Sequence, residues 1–290
     1  MSCLPAKVLV TGATGFVGQH LVAALLAAGV QVRAVARSSE RARVLPWFDQ
    51  VEFVAADIHD QALDVQALTD SVDALAHLAW SGLPNYQQAF HYEVNLPADL
   101  QFIKRVVAAG VGQVMVTGTC FEYGLRNGPQ SETDAAQPAT AYGLAKNALR
   151  LFLEHMRQQT PFTLQWVRLF YLYGPGQAAN SLLASLDRAI DQGHAQFPMS
   201  AGEQLRDYLP IEQVAAHLLA ILGRREFSGV VNCCSGEPIS VRSLVEQHLA
   251  RRNSRMALQL GHYPYSAHEP MAFWGDPQRL RQLTGEQHGA

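Results

Sequence analysis

Short apolar runs alternate with longer segments of helical period through the first half of the chain. Lys7–Thr11 is a compact apolar run, and Phe16–Ala28 is an Ala- and Leu-rich helical segment that stops at Gly29. Gln31–Arg37 and Val51–Ala56 predict a second and a third strand, with Gln61–Asp70 as a short helix. Ala74–Ala79 predicts a fourth strand, Tyr86–Ala109 a helix ending at Gly110, and Gln113–Thr119 a fifth strand. Tyr142–Gln159 has helical spacing, with Leu149, Phe152, Leu153 and Met156 placed on one face. Thr163–Tyr171 predicts a sixth strand. Near-continuous apolar strands separated by helices imply a parallel sheet covered on both faces.

The pattern changes after Gly174-Pro175-Gly176. Helices are expected near Ser181–Asp191, Ile211–Leu222 and Val241–Arg251, with an irregular stretch through Gly202. The segment Gly261–Asp276 is rich in Tyr, Pro, His and Trp and has no period. This organisation predicts a cofactor domain of residues 1–172 with 207–234, and a smaller substrate lobe of residues 173–206 with 235–290.

Composition narrows the class. The 290 residues are 48% hydrophobic and 16% charged, with a net charge of −3, so a packed core is expected and nucleic acid is not. None of the four cysteines forms a CxxC, and the eleven histidines lack metal-ligand spacing, so no metal is expected. Neither a signal peptide nor a membrane span is recognisable, and reduced thiols fit a cytoplasmic protein.

Thr11-Gly12-Ala13-Thr14-Gly15-Phe16-Val17-Gly18 joins the first strand to the first helix. Gly12 suits a tight turn, Gly15 lets the backbone approach a pyrophosphate, and Gly18 lets helix and strand pack closely. The helix N-terminus then offers N–H groups and partial positive charge to phosphates. The strand–turn–helix setting makes this a dinucleotide fingerprint and the fold an α/β Rossmann-type doubly wound parallel sheet with a smaller C-terminal lobe. The second strand ends at Arg37 with Arg33 nearby, where an arginine suits the 2′-phosphate of NADP. NADP(H) is therefore expected ahead of NAD(H). Asp57 closes the third strand, either as an acceptor for the adenine amine or as a helix cap.

Tyr142-Gly143-Leu144-Ala145-Lys146 places a phenol and an ammonium four residues apart, on one helix face. A free phenol has a pKa of roughly 10. A neighbouring cation is expected to move it towards neutrality and make Tyr142 an acid–base group. The fifth strand ends Thr117-Gly118-Thr119, where an open sheet presents its ligand. Either hydroxyl can reach the oxygen that Tyr142 serves, or merely satisfy local backbone.

Together these segments resemble the extended short-chain dehydrogenase/reductase family, in its NAD-dependent epimerase/dehydratase branch. The likeness runs through TGATGFVG at 11–18, Asp57-Ile58, His77-Leu78-Ala79, Asn95, the TGTCFEYG segment, YGLAK, Arg168 with Tyr173-Gly174-Pro175-Gly176, and Arg206-Asp207-Tyr208. It implies catalysis by Thr119, Tyr142 and Lys146. It also implies cofactor contacts at Gly12, Thr14, Gly15, Phe16, Val17, Gly18, Arg37, Asp57, Ile58, Leu78, Ala79 and Thr117, and at Tyr142 and Lys146 themselves, with Lys146 on the nicotinamide ribose. On the substrate side it implies Arg206 at a sugar-nucleotide diphosphate, Asn180 and Phe197 near the nucleotide, and Trp80, Cys120 and Phe121 around the sugar. A homodimer built from the helices near 86–109 and 142–159 is implied as well.

Two departures decide the expected reaction. The 4,6-dehydratase subgroup carries an Asp-Glu pair directly after the catalytic hydroxyl, to remove a C5 proton and expel the C6 hydroxyl; here those positions are Cys120 and Phe121. Reductases that also epimerise C3 and C5 place a cysteine two residues after that hydroxyl, whereas Cys120 is one after. What remains is reduction of a C4 ketone on a nucleotide-linked 4-keto-6-deoxyhexose. His77–Tyr86, TCFEYG and Tyr263–Asp276 resemble reductases forming dTDP-fucose, with dTDP-6-deoxytalose as a related product. The alternatives are a 4-epimerase, a reductase of a non-nucleotide substrate, and a non-catalytic NADP-sensing module, which would need no Tyr–Lys–Thr set.

Overall fold

The computed structural model describes residues 4–266 and 269–285. Cys3, Ala267 and His268 of the aromatic tail, and residues 286–290 of the expected lobe lie outside them. Seven strands build a parallel sheet: β1 (Lys7–Thr11), β2 (Gln31–Ala36), β3 (Glu52–Ala55), β4 (Ala74–His77), β5 (Gln113–Thr119), β6 (Thr163–Leu169) and β7 (Gly229–Cys233). Their order is β7-β6-β5-β4-β1-β2-β3. The chain reverses direction across the sheet between β1 and β4, where Thr11 lies opposite His77. Such a switch point leaves a crevice at the carboxyl ends of the strands.

Both faces of the sheet are covered. On one side Leu21 and Leu25 of helix Phe16–Ala27 share a core with Val214, Leu218 and Ile221 of helix Ile211–Leu222. On the other, Phe102, Ile103 and Val106 of helix Leu96–Ala108 meet Leu149 and Leu153 of helix Ala141–Met156. All ten are essentially inaccessible, and each contributes about 1.5–3 kcal/mol of burial.

A second sheet carries the lobe. Strand Leu205–Pro210 lies between Pro238–Ser240 and Ala272–Gly275, Gly128–Gln130 extends the far edge, and Tyr171–Tyr173 also pairs with Leu205–Pro210. Asp207 fastens this sheet to the following turn, accepting from the Ser235 amide and hydroxyl at 2.7 Å and from the Gly236 amide at 2.9 Å.

Several elements differ from the pattern-based reading. The long helix expected from Tyr86 becomes helical only at residue 90 and runs through a wide π turn, His91–Asn95, into Leu96–Ala108, because residues 81–89 form a loop. The sixth strand stops at Leu169, and Tyr171–Tyr173 has moved into the second sheet. The Gln61–Asp70 segment is helical only over Val65–Leu68, capped by Asp64. The aperiodic tail contains strand Ala272–Gly275, and the irregular stretch before Gly202 contains strand Gln196–Pro198. Phe152 is not on the buried face with Leu149 and Leu153; it is 52% exposed, and Leu151 beside it is 50% exposed.

Candidate active site

The glycine turn has the geometry its sequence implies. Gly12 sits at φ +67°, where a side chain is strained, and a Cβ there would lie 2.8 Å from the Ala79 amide nitrogen. A Cβ on Gly18 would lie 2.1 Å from the Gly12 carbonyl, so helix and strand close together only around glycine. Gly15 is the cap of helix Phe16–Ala27, and the helix N-terminus opens on a cavity of about 460 Å³.

Gly12, Thr14, Gly15, Phe16, Arg37, Asp57, Ile58, Leu78 and Ala79 all border that cavity, together with Trp80, the residue expected on the substrate side. Val17 packs against the core below the turn. Arg33 is directed away: its guanidinium binds Glu52 and the carbonyls of Ala67, Leu68 and Asp70. Arg37 instead shares the cavity wall with Arg41, which rides on the short helix Ser39–Arg43 capped by Ser38. Asp57 caps no helix; its carboxylate accepts the His59 amide at 3.0 Å. Beneath the cavity, His59 and His77 flank the inaccessible Asp99 carboxylate at 3.1 and 3.3 Å. Burial opposes ionisation of Asp99, yet the two imidazoles hold its pKa down at about 2.

Tyr142 and Lys146 lie on the buried face of helix Ala141–Met156, which starts where Thr140 accepts the Gly143 amide at 3.0 Å. Thr119 ends β5 beside Tyr142, and its hydroxyl accepts the Phe121 amide at 3.3 Å. Burial pushes the Tyr142 phenol well above its ordinary range, against the lowering influence of the nearby Thr119 hydroxyl, so the phenol carries its proton at neutral pH. Burial lowers Lys146 to about 8, against the attraction of Asp99 and Glu122. Lys146 Nζ donates to the Thr117 carbonyl at 2.8 Å and stands 4.1 Å from the Trp80 ring centre. The Thr117 hydroxyl donates to the His77 carbonyl at 3.4 Å, leaving Thr119 as the hydroxyl beside Tyr142.

The expected substrate residues separate into groups. Phe121 meets Tyr86, Tyr142 and Tyr171 edge-on and borders a second cavity of about 300 Å³ with Tyr86, Thr140 and Glu269. Cys120 is buried directly behind it, and burial drives its thiol far above the ordinary range. Arg206 is 3% exposed and is held by Glu269, Nη2 to Oε2 2.9 Å, with Tyr171 donating to the same oxygen at 3.1 Å. Asn180 is exposed on the loop before helix Leu182–Asp191, and Phe197 packs inside the lobe's own core. Neither of these two borders either cavity.

Glu122, His91, Tyr86 and Glu269 were not singled out by the sequence. Glu122 had a readable signal: Thr119-x-x-Glu122 is a capping box, and its carboxylate accepts the Thr119 amide at 2.9 Å. The same carboxylate takes Trp166 Nε1 at 3.0 Å and Arg168 Nε at 2.8 Å. Among the described residues, no group of three or more His, Cys, Asp or Glu side chains is placed to hold a metal ion.

Comparison with known proteins gives this geometry a family. A dTDP-6-deoxy-L-talose 4-dehydrogenase (NAD(+)) of Aggregatibacter actinomycetemcomitans is 30% identical over 271 residues, covering 93% of this chain and 99% of that protein. A dTDP-6-deoxy-L-talose 4-dehydrogenase (NAD(P)(+)) of Kitasatospora kifunensis is 31% identical over 253 residues, covering 83% and 78%. Among solved structures, MoeE5 in complex with UDP-glucose and NAD superposes with a TM-score of 0.82 at 26% identity, covering 96% of this chain and 92% of that one. The sequence model of the NAD dependent epimerase/dehydratase family matches residues 8–234. The resemblance read from the motifs is thus borne out, and the chain belongs to the NAD dependent epimerase/dehydratase family, among the extended short-chain dehydrogenases/reductases.

Proposed function

We propose that the protein reduces the C4 ketone of a nucleotide-linked 4-keto-6-deoxyhexose, with a dTDP-linked substrate and a 6-deoxytalose-type product. The observation that carries this reading is what flanks Thr119. Tyr142 is a protonated phenol beside Thr119, while the two positions after Thr119 hold a buried thiol of raised pKa and a phenyl ring, Cys120 and Phe121. A phenol that keeps its proton is an acid for an oxygen gaining negative charge, and Phe121 offers no base for a C5 proton. The two talose dehydrogenases named above favour 6-deoxytalose over fucose as the product type.

Cofactor fits the glycine turn, because the Gly12–Gly18 backbone leaves the helix N-terminus open to a pyrophosphate. When bound, the dihydronicotinamide supplies the hydride to C4 of the sugar. Tyr142 gives its proton to the carbonyl oxygen, Thr119 orients that oxygen, and Lys146 supports the phenol and the cofactor ribose. We assign a preference for NADPH to Arg37 and Arg41 at the cavity wall. The further expectations are a homodimer and a cytoplasmic location; among the described residues, no helix is long and apolar enough to cross a membrane.

The test is incubation with NADPH and a panel of 4-keto sugar nucleotides, with the product assigned by NMR. Ketone reduction consumes one NADPH per alcohol formed. Interconversion of C4 epimers without net consumption would place the protein with the 4-epimerases instead, and silence towards every sugar nucleotide would overturn the reading.

A further inference from the structure

His91 lies at the start of the π turn His91–Asn95 and is inaccessible to solvent. Both ring nitrogens are engaged. Trp80 Nε1 donates to His91 Nδ1 at 3.0 Å, and His91 Nε2 lies 3.0 Å from the Asn85 carbonyl. These partners require a neutral imidazole with its proton on Nε2. Burial lowers the His91 pKa and the Lys146 ammonium opposes a second charge, in keeping with that tautomer.

The indole and imidazole are nearly parallel, 17° apart with ring centres 6.2 Å apart. The indole touches both members of the reactive pair, and the His91 ring itself lies 5.4 Å from the Tyr142 ring. Lys146 Nζ stands 4.1 Å from the indole centre, and the Tyr142 ring meets the indole edge-on at 6.0 Å. Trp80 has one polar atom, and His91 is the acceptor that fixes it. A buried indole N–H without an acceptor seeks another partner and turns the ring. The cation–aromatic contact depends on where that face points.

We infer that His91 is a positioning residue for the Tyr142–Lys146 pair, acting through the indole N–H of Trp80. Its kinetic consequence rests on the ketoreductase reading above; the hydrogen bond itself does not.

Three variants test it. His91→Leu keeps bulk and accepts nothing, His91→Asn restores an acceptor near the Nδ1 position, and Trp80→Phe keeps an aromatic face without the N–H. His91→Leu should lower kcat for 4-keto sugar reduction by about tenfold, while NADPH affinity by fluorescence titration stays near wild type. His91→Asn should recover most of the loss. The Trp80→Phe/His91→Leu pair should be no slower than the slower single variant, since both remove one interaction. Wild-type kcat in His91→Leu, or equal slowing in His91→Asn and His91→Leu, would overturn the inference.

A second readout needs no substrate. Of the four indole N–H resonances in ¹⁵N-Trp protein, the one lost in Trp80→Phe should move upfield in His91→Leu. If it stays in place, the inference fails whatever the enzyme reduces. If it moves while no 4-keto sugar nucleotide is turned over, the ketoreductase reading fails and the Trp80–His91 bond stands.

Discussion

At the scale of residues, the site depends on groups whose protonation is set by burial. Lys146 is charged at neutral pH but loses its proton with a midpoint near 8 in the free enzyme. Because the charged form is the supporting one, kcat/KM should be level below that value and fall as pH rises through it. A pH profile run with Lys146→Met alongside checks this: the variant should be slow throughout and lack the alkaline limb. Tyr142→Phe should abolish most turnover while NADPH still binds, as a proton donor is lost but no wall of the cofactor cavity is. Arg37 and Arg41 separate the two cofactors by the same logic. Replacing both with alanine removes charge-assisted contacts to a 2′-phosphate, and the ratio of kcat/KM for NADPH over NADH should fall by about 10- to 100-fold. An unchanged ratio would remove these arginines from cofactor choice.

At the scale of elements, the turn Cys120–Tyr123 links catalysis to stability. Glu122 carries the amide of Thr119 on one side and Trp166 and Arg168 of β6 on the other. Both partners of the Glu122–Arg168 pair are almost wholly buried, with side-chain exposures of 0% and 2%. Glu122→Ala leaves a buried guanidinium without its carboxylate and should cost about 3–5 kcal/mol in urea unfolding. Removing both charges together should cost less than that single change.

Legibility in the sequence followed locality. β1, the glycine turn and helix Phe16–Ala27 were readable, because each residue's role is set by neighbours a few positions away. YGLAK was readable for the same reason: a helix fixes the Tyr142–Lys146 spacing. His91 and Glu269 were not. Their partners Trp80 and Arg206 lie 11 and 63 residues away, and no local pattern marks them. Strand Ala272–Gly275 was missed because it pairs in parallel with Gly128–Gln130, far away in the chain.

At the scale of the whole molecule, an apolar surface stands unexplained by the monomer. Leu144, Leu151 and Phe152 on helix Ala141–Met156 are 49%, 50% and 52% exposed, and Tyr92 and Val94 just before helix Leu96–Ala108 are 41% and 53% exposed. We propose that these faces meet a second copy across a two-fold axis. Leu151→Glu with Phe152→Glu should then halve the mass measured by sedimentation equilibrium. A wild-type protein of monomer mass would remove the proposal.

Phe170 is a single residue between β6 and strand Tyr171–Tyr173, yet the chain changes sheets there. The seven-stranded sheet and the second sheet are therefore braided rather than tethered. Gly128–Gln130, from the first half, pairs with Ala272–Gly275 from the second, and β7 closes the edge of β6 only after the chain has visited the lobe. No single cut yields a self-sufficient cofactor module. A fragment ending at residue 172 would leave β6 as an open edge and the Leu21–Leu25 face without helix Ile211–Leu222. Grafting a foreign second sheet onto this seven-stranded sheet would have to splice at several points at once, so change is more accessible through the loops over the crevice than through exchange of modules.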